Sequence, residues 1–151
     1  MVTWDMKFRY HDEATDTDFE KEFKRQVEWN DAIGTPYVAN NDPQLVERIA
    51  GTDMVRGVTI ACGGFFGPQG RRLRLPLADP ELNHKIEQFE YKGLRVTNFE
   101  MESSALAGLS TLMGHHAMTC CMVIANRLAG EANAGYKNTI DGLIKTVLER
   151  I

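Results

Sequence analysis

At 151 residues with 43% hydrophobic content, the chain is the size of one domain and has enough apolar mass for a real core. Seventeen Lys and Arg against 21 Asp and Glu leave a net charge of −4, without the basic block that nucleic acid or an anionic surface would require. No apolar run approaches the ~20 residues of a membrane helix, and the acidic and aromatic N-terminus does not read as a signal peptide, so a soluble, cytoplasmic protein acting on a small molecule is expected.

Met1 to Tyr10 alternates loosely and is compatible with a strand or the tail of one. His11 to Thr17 is polar and reads as a loop. Asp18 to Trp29 sets Phe19, Phe23 and Val27 on one helical face, and the helix is expected to end near Gly34. Thr35 to Ala39 reads as a short extended piece. Asp42-Pro43 then supplies a cap and a first-turn proline for a helix burying Leu45, Val46, Ile49 and Ala50, closed by Gly51.

Gly57 to Cys62 is apolar and β-rich, as a strand covered on both faces would be. It leads into the glycine-rich stretch from Gly63 to Arg72. Asp79-Pro80 repeats the helix start, with Leu82, Ile86 and Phe89 carrying the helix to about Glu90. A strand from Leu94 to Phe99 and a helix from Glu102 to Met113 follow, the latter stopped by Gly114. Ala117 to Ala125 reads as another buried strand, Leu128 to Asn138 as a loop long enough to act as a lid, and Ile140 to Ile151 as an amphipathic helix. Alternating strands and helices predict an α/β fold.

Three strand ends carry polar groups: Gln69 and Arg71 after the first, Glu100 and Glu102 after the second, Arg127 after the third. Ligands bind at such ends in open α/β sheets. The Gln69 amide offers a donor beside an acceptor, complementary to the N–H/C=O edge of a base such as uracil. Arg71 and Arg127 add donors, Phe65 or Phe66 a stacking face, and Glu102 an acceptor for ribose hydroxyls. A helix-opening carboxylate is equally explained by the positive end of the helix dipole.

The remaining motifs read as structural. Adjacent His115-His116 share no face and do not suit a metal. Gly63-Gly64 lacks the lysine of a P-loop and reads as a tight turn. Arg72 and Arg74 read as solvated or at an oligomer contact. Cys62, Cys120 and Cys121 lack metal spacing and read as reduced, buried thiols.

Gly64-Phe65-Phe66-Gly67-Pro68-Gln69-Gly70-Arg71, Asn98-Phe99-Glu100-Met101-Glu102-Ser103 and Ile124-Ala125-Asn126-Arg127 resemble, in order and spacing, the base motif, ribose motif and third strand end of uridine phosphorylases. The likeness runs from about Glu22 to Ile151. It implies a mixed-sheet nucleoside phosphorylase-like domain with helices packed around the sheet, a single domain over 1–151 forming the C-terminal portion of that fold. The implied reaction is uridine plus phosphate giving uracil and ribose 1-phosphate.

By the same resemblance, Phe65 stacks on the nucleoside, Gln69 and Arg71 hydrogen-bond uracil, Met101 packs under the ribose, Glu102 binds its hydroxyls, and Glu100 supports them. Arg127 stands where bacterial purine-specific relatives carry Asp in a Ser-Asp pair, which favours a pyrimidine leaving group. Glu102 and Arg127 are thus the catalytic candidates. Phosphate is the co-substrate, and no metal or organic cofactor is implied. The family's phosphate-binding glycine and arginines lie in an N-terminal half, so a homo-oligomer or a chain supplying that half is expected. The rival readings are a purine nucleoside phosphorylase or nucleosidase, and an inactive nucleoside-binding or assembly fragment.

Overall fold

The computed structural model describes residues 15–126 and 129–151, so the expected strand over Met1 to Tyr10 lies outside the described residues. Helix α1, Thr17–Gln26, starts where Asp16 accepts the Phe19 backbone N–H at 3.0 Å. It is shorter than its hydrophobic periodicity predicts. Val27 closes it, and Glu28 turns left-handed at φ 51°, so the chain leaves the helix and makes a separate 3-10 turn at Asp31–Ile33 before Gly34. The Thr35 to Ala39 piece joins no sheet. Its backbone is satisfied by α1 instead, through Asp16 N–H to Val38 O at 2.8 Å and Val38 N–H to the Glu20 carboxylate at 3.2 Å.

Helix α2, Pro43–Ile49, has the expected Asp42 cap. Strand β1, Val58–Ala61, pairs in parallel with β3, Leu94–Glu100, with a bulge between Val58 and Thr59. Helix α3, Leu82–Gln88, stops before the predicted Glu90. Glu90–Tyr91 instead forms β2, antiparallel to β3 across Lys92 and Gly93, both at positive φ (50° and 77°), as a two-residue hairpin turn requires. The sheet order is β1-β3-β2. One face of it meets α1 and α3 around Phe19, Phe23, Val27, Ile60, Cys62, Ile86 and Phe89, which form the core.

Helix α4, Ser103–Leu112, lies against β1 on its small-residue side, where Ser103, Ala107 and Gly108 are buried. Leu106, Leu109 and Met113, the larger residues of the same periodicity, face outward. The C-terminal helix α5, Lys137–Arg150, matches expectation in place, and Arg150 ties it to Asp53 at 2.9 Å and to Ile49 O at 2.8 Å. Its stripe of Ile140, Ile144, Leu148 and Ile151 is exposed.

The buried strand expected over Ala117 to Ala125 is absent. Only β4, Ala125–Asn126, is a strand, and it pairs with β5, Glu131–Ala132, in a small hairpin that replaces part of the expected lid loop. Residues 117–124 have strand composition but no ladder partner among the described residues. They are held at one end by Asp42 N–H to Ala117 O at 2.8 Å, and Met118 to Val123 line a cavity of about 670 Å³ with Val58, Thr59 and Asn98. Cys62 is buried as predicted, but Cys120 is only half-buried and Cys121 is exposed, because they sit on this unpaired segment. His116 Nδ1 lies 2.6 Å from Asp42 Oδ2, so it supports the α2 cap, and the hydrogen bonds from His116 and from the Leu45 N–H hold the Asp42 carboxyl below its usual range. Among the described residues no helix is long and apolar enough to cross a membrane, and no group of His, Cys, Asp and Glu could hold a metal ion.

Candidate active site

Parallel pairing brings the carboxyl ends of β1 and β3 side by side, and the Cys62 N–H extends the ladder to Glu100 O at 3.0 Å. The base loop and the Glu100–Ser103 turn therefore leave the sheet from adjacent points. In the loop, Gly64 N–H turns back to Cys62 O at 2.8 Å, and Gly67–Gln69 forms a 3-10 turn closed by Gly70 at φ 77°. A side chain at Gly70 would be strained by that backbone conformation.

Three of the predicted base residues touch one another. The Arg71 guanidinium lies 3.6 Å from the Phe65 ring centroid, donates to the Phe65 carbonyl, and donates to Gln69 Oε1 at 3.0 Å. Phe65 is half exposed and meets Phe66 edge to face at 5.3 Å, whereas Gln69 is buried, with 3% exposure. The result is a preformed unit: an aromatic face open to solvent, a cation over it, and an amide whose oxygen is already oriented by that cation. If this unit takes a pyrimidine base, as the resemblance implies, Gln69→Ala should weaken uridine binding by ~1–3 kcal/mol, since base groups lose their partner. Calorimetry on the variant checks this, and unchanged affinity would remove Gln69 from the site.

At the second strand end the two carboxylates have different work. Glu100 Oε2 accepts the backbone N–H groups of Glu102 at 2.8 Å and Ser103 at 2.7 Å, while Oε1 accepts the Ser103 hydroxyl at 2.6 Å. Burial alone would raise its pKa, but the Ser103 hydroxyl and the two N–H groups outweigh it and bring the pKa below the usual carboxylate value. Glu100 thus anchors the helix start. Glu102 occupies the cap position of α4 without making a side-chain capping bond, and it is exposed, as is Met101 at 41%. The dipole-based explanation of a helix-opening acid therefore applies to Glu100 and leaves Glu102 available to a ligand.

Arg127 lies outside the described residues. Its neighbour Asn126 is exposed and accepts the Ala129 N–H at 3.2 Å. Ser103, a buried polar residue central to the turn, stands in the ribose motif but is given no role there by sequence reading. Its signal is local: a carboxylate three residues ahead of a serine at a helix start satisfies the same orphan N–H groups as a cap.

Two adjacent strand-end loops, one carrying the buried Gln69 amide beside Arg71 and the other the exposed Glu102 carboxylate, are the arrangement in which α/β folds bind small molecules. The chain belongs to the phosphorylase superfamily, whose sequence profile it matches over residues 7–150. It is 35% identical over 88 residues to a uridine phosphorylase from Thermococcus kodakarensis, an alignment covering 54% of this chain and 29% of that protein. It superposes on the crystal structure of the Trypanosoma brucei nucleoside phosphorylase, described as showing uridine phosphorylase activity, with a TM-score of 0.76 and 23% identity over 94% of this chain and 50% of that one. The fold is accordingly that of a nucleoside phosphorylase, and the chain spans less than a third of the length of the first relative and half of the second.

Proposed function

We propose that this chain is the nucleoside-reading C-terminal portion of a uridine phosphorylase. The observation that supports it best is the Phe65, Gln69 and Arg71 unit seated beside a turn in which Glu100 caps the helix and Glu102 does not. In this reading uracil stacks on Phe65 with its imide edge toward Gln69 and Arg71, Met101 packs under the ribose, and Glu102 accepts the ribose hydroxyls. A phosphate oxygen bonds to the anomeric carbon as the glycosidic C–N bond breaks. The bonding pair passes to the uracil ring, and the proton lost by the attacking hydrogen phosphate reaches that ring through water, giving neutral uracil and ribose 1-phosphate.

Donors fixed before the reaction stabilise the charge on the leaving base without reorganising, which is the role proposed for Arg71 and Arg127. Glu102 holds the sugar in the reactive orientation. The phosphate-binding groups are proposed to come from the rest of the fold, in keeping with coverage of half of the solved relative. No metal or organic cofactor enters this scheme.

Calorimetric titration of the chain with uridine, then phosphate-dependent uracil release with and without a supplied N-terminal half, tests the proposal. Saturable uridine binding and release only with that half are expected; no uridine binding overturns it. Glu102→Gln should cost uridine ~1.5–3 kcal/mol, the worth of a hydrogen bond to a charged group, and leave 2′,3′-dideoxyuridine nearly unaffected. Equal losses for both ligands would return Glu102 to a structural role.

A further inference from the structure

The base loop is fastened to the rest of the domain by a residue outside every motif. Asn83, on the first turn of α3, donates from Nδ2 to the Gln69 carbonyl at 3.3 Å. Its amide lies against Gly70, so close that a Cβ there would stand 2.7 Å from Asn83 Cγ. Gly70 is required by its positive φ, and a side chain there would also push the Asn83 amide out of its place. The helix that carries Asn83 is itself immobilised. Ile86 is buried in the core, and Lys85 bridges Asp79 at 3.2 Å and Glu28 at 2.8 Å.

We propose that Asn83 is a positioning residue that sets the depth and orientation of Gln69, and through it the discrimination among pyrimidine bases. The inference rests on the uridine reading above. The loop's own bonds, Gln69 and Arg71 N–H to Phe66 O at 3.1 and 2.9 Å and Gly70 N–H to Gly67 O at 2.8 Å, fix its internal shape but not its place relative to the sheet. Asn83 supplies that second constraint. A base offering a donor where uracil offers an acceptor is rejected only if the Gln69 amide is held in one place.

The test uses Asn83→Ala together with Asn83→Asp, which keeps the shape and removes the donor. Hydrogen exchange without ligand should be about 5- to 10-fold faster at the Gln69, Gly70 and Arg71 amides in both variants, the scale of one lost hydrogen bond, with Val27 and Ala50 unchanged. The uridine-to-cytidine affinity ratio should fall by a similar factor, while the ratio of uridine to 2′,3′-dideoxyuridine stays constant. A merely structural role would lower thermal stability and weaken both nucleosides alike. Unchanged exchange in the loop, or full discrimination in both variants, overturns the role of Asn83. Failure of the wild-type chain to prefer uridine overturns instead the functional reading beneath it.

Discussion

Phe23→Ala is expected to remove about 3–5 kcal/mol of folding stability, the cost of deleting a fully enclosed aromatic side chain. Phe23 has no solvent exposure. Its ring meets Phe89 edge-on at 5.1 Å and Trp29 at 5.9 Å, while Phe19 links the same cluster to Phe89 at 5.4 Å and to Tyr91 at 4.7 Å. These rings join α1 to α3 and to the hairpin strand β2, so the cavity would open where three elements converge. Whole domains are stable by only about 5–15 kcal/mol, so the variant should lose a large share of its margin. Urea unfolding provides the measurement. A loss below about 1 kcal/mol would mean that the cluster collapses around the gap and is not the keystone described here.

The second large effect is expected at Glu100. Glu100→Gln replaces an acceptor of three hydrogen bonds with a group that has one acceptor oxygen and turns an N–H donor toward other donors; the expected loss is about 1.5–3 kcal/mol. The same variant should weaken uridine, because the turn carrying Met101 and Glu102 is no longer held. Ser103→Ala, which deletes one of the three bonds, should show a smaller effect of the same sign.

The carboxylate's depressed pKa fixes the sign of the pH dependence. Its contribution is complete above the unfolded-state pKa and is lost as pH falls through the lower folded-state value. Wild-type protein should therefore lose stability below about pH 5 more steeply than Glu100→Gln. Parallel slopes for the two proteins would contradict the assignment.

Those two sites show where the sequence could be read and where it could not. Helix caps and the β-rich composition of β1 and β3 are set by neighbouring residues, so Asp42-Pro43, Gly57 to Cys62 and Leu94 to Phe99 were legible, and with them the strand ends that present Gln69 and Glu102. The strand expected at Ala117 to Ala125 failed because its apolar composition says nothing about whether an edge is available to pair with it. Hydrogen-bonded strand structure is a property of two segments, and residues 117–124 lack the second among the described residues. The β2 hairpin was hidden because Lys92-Gly93 is a weaker turn signal than Asn-Gly, and because Phe89 continued the helical periodicity past the true end of α3.

The division of labour between Glu100 and Glu102 was legible only in outline, as a supporting role for the first and ribose binding for the second. Both carboxylates belong to one motif, and only the geometry shows that the first is consumed by the helix terminus. Asn83 carried no motif at all; its importance comes from contact across 14 residues of chain.

If a second chain covers the outward stripe of α5, stability becomes a matter of mass action. Ile140, Ile144 and Leu148 stand one above another on the helix with Ile151 at its C-cap, exposed at 39, 51, 67 and 58%, and Leu106 of α4 and Met113 at its C-cap add further apolar surface. A chain that covers such a stripe binds the folded state and has no equivalent target in the unfolded one. At a hundredfold excess over its dissociation constant it would add about 2.7 kcal/mol, and ten times more of it would add about 1.4 kcal/mol again. The midpoint of unfolding would then rise with the concentration of that covering chain, and a midpoint independent of concentration would mean that the stripe stays open.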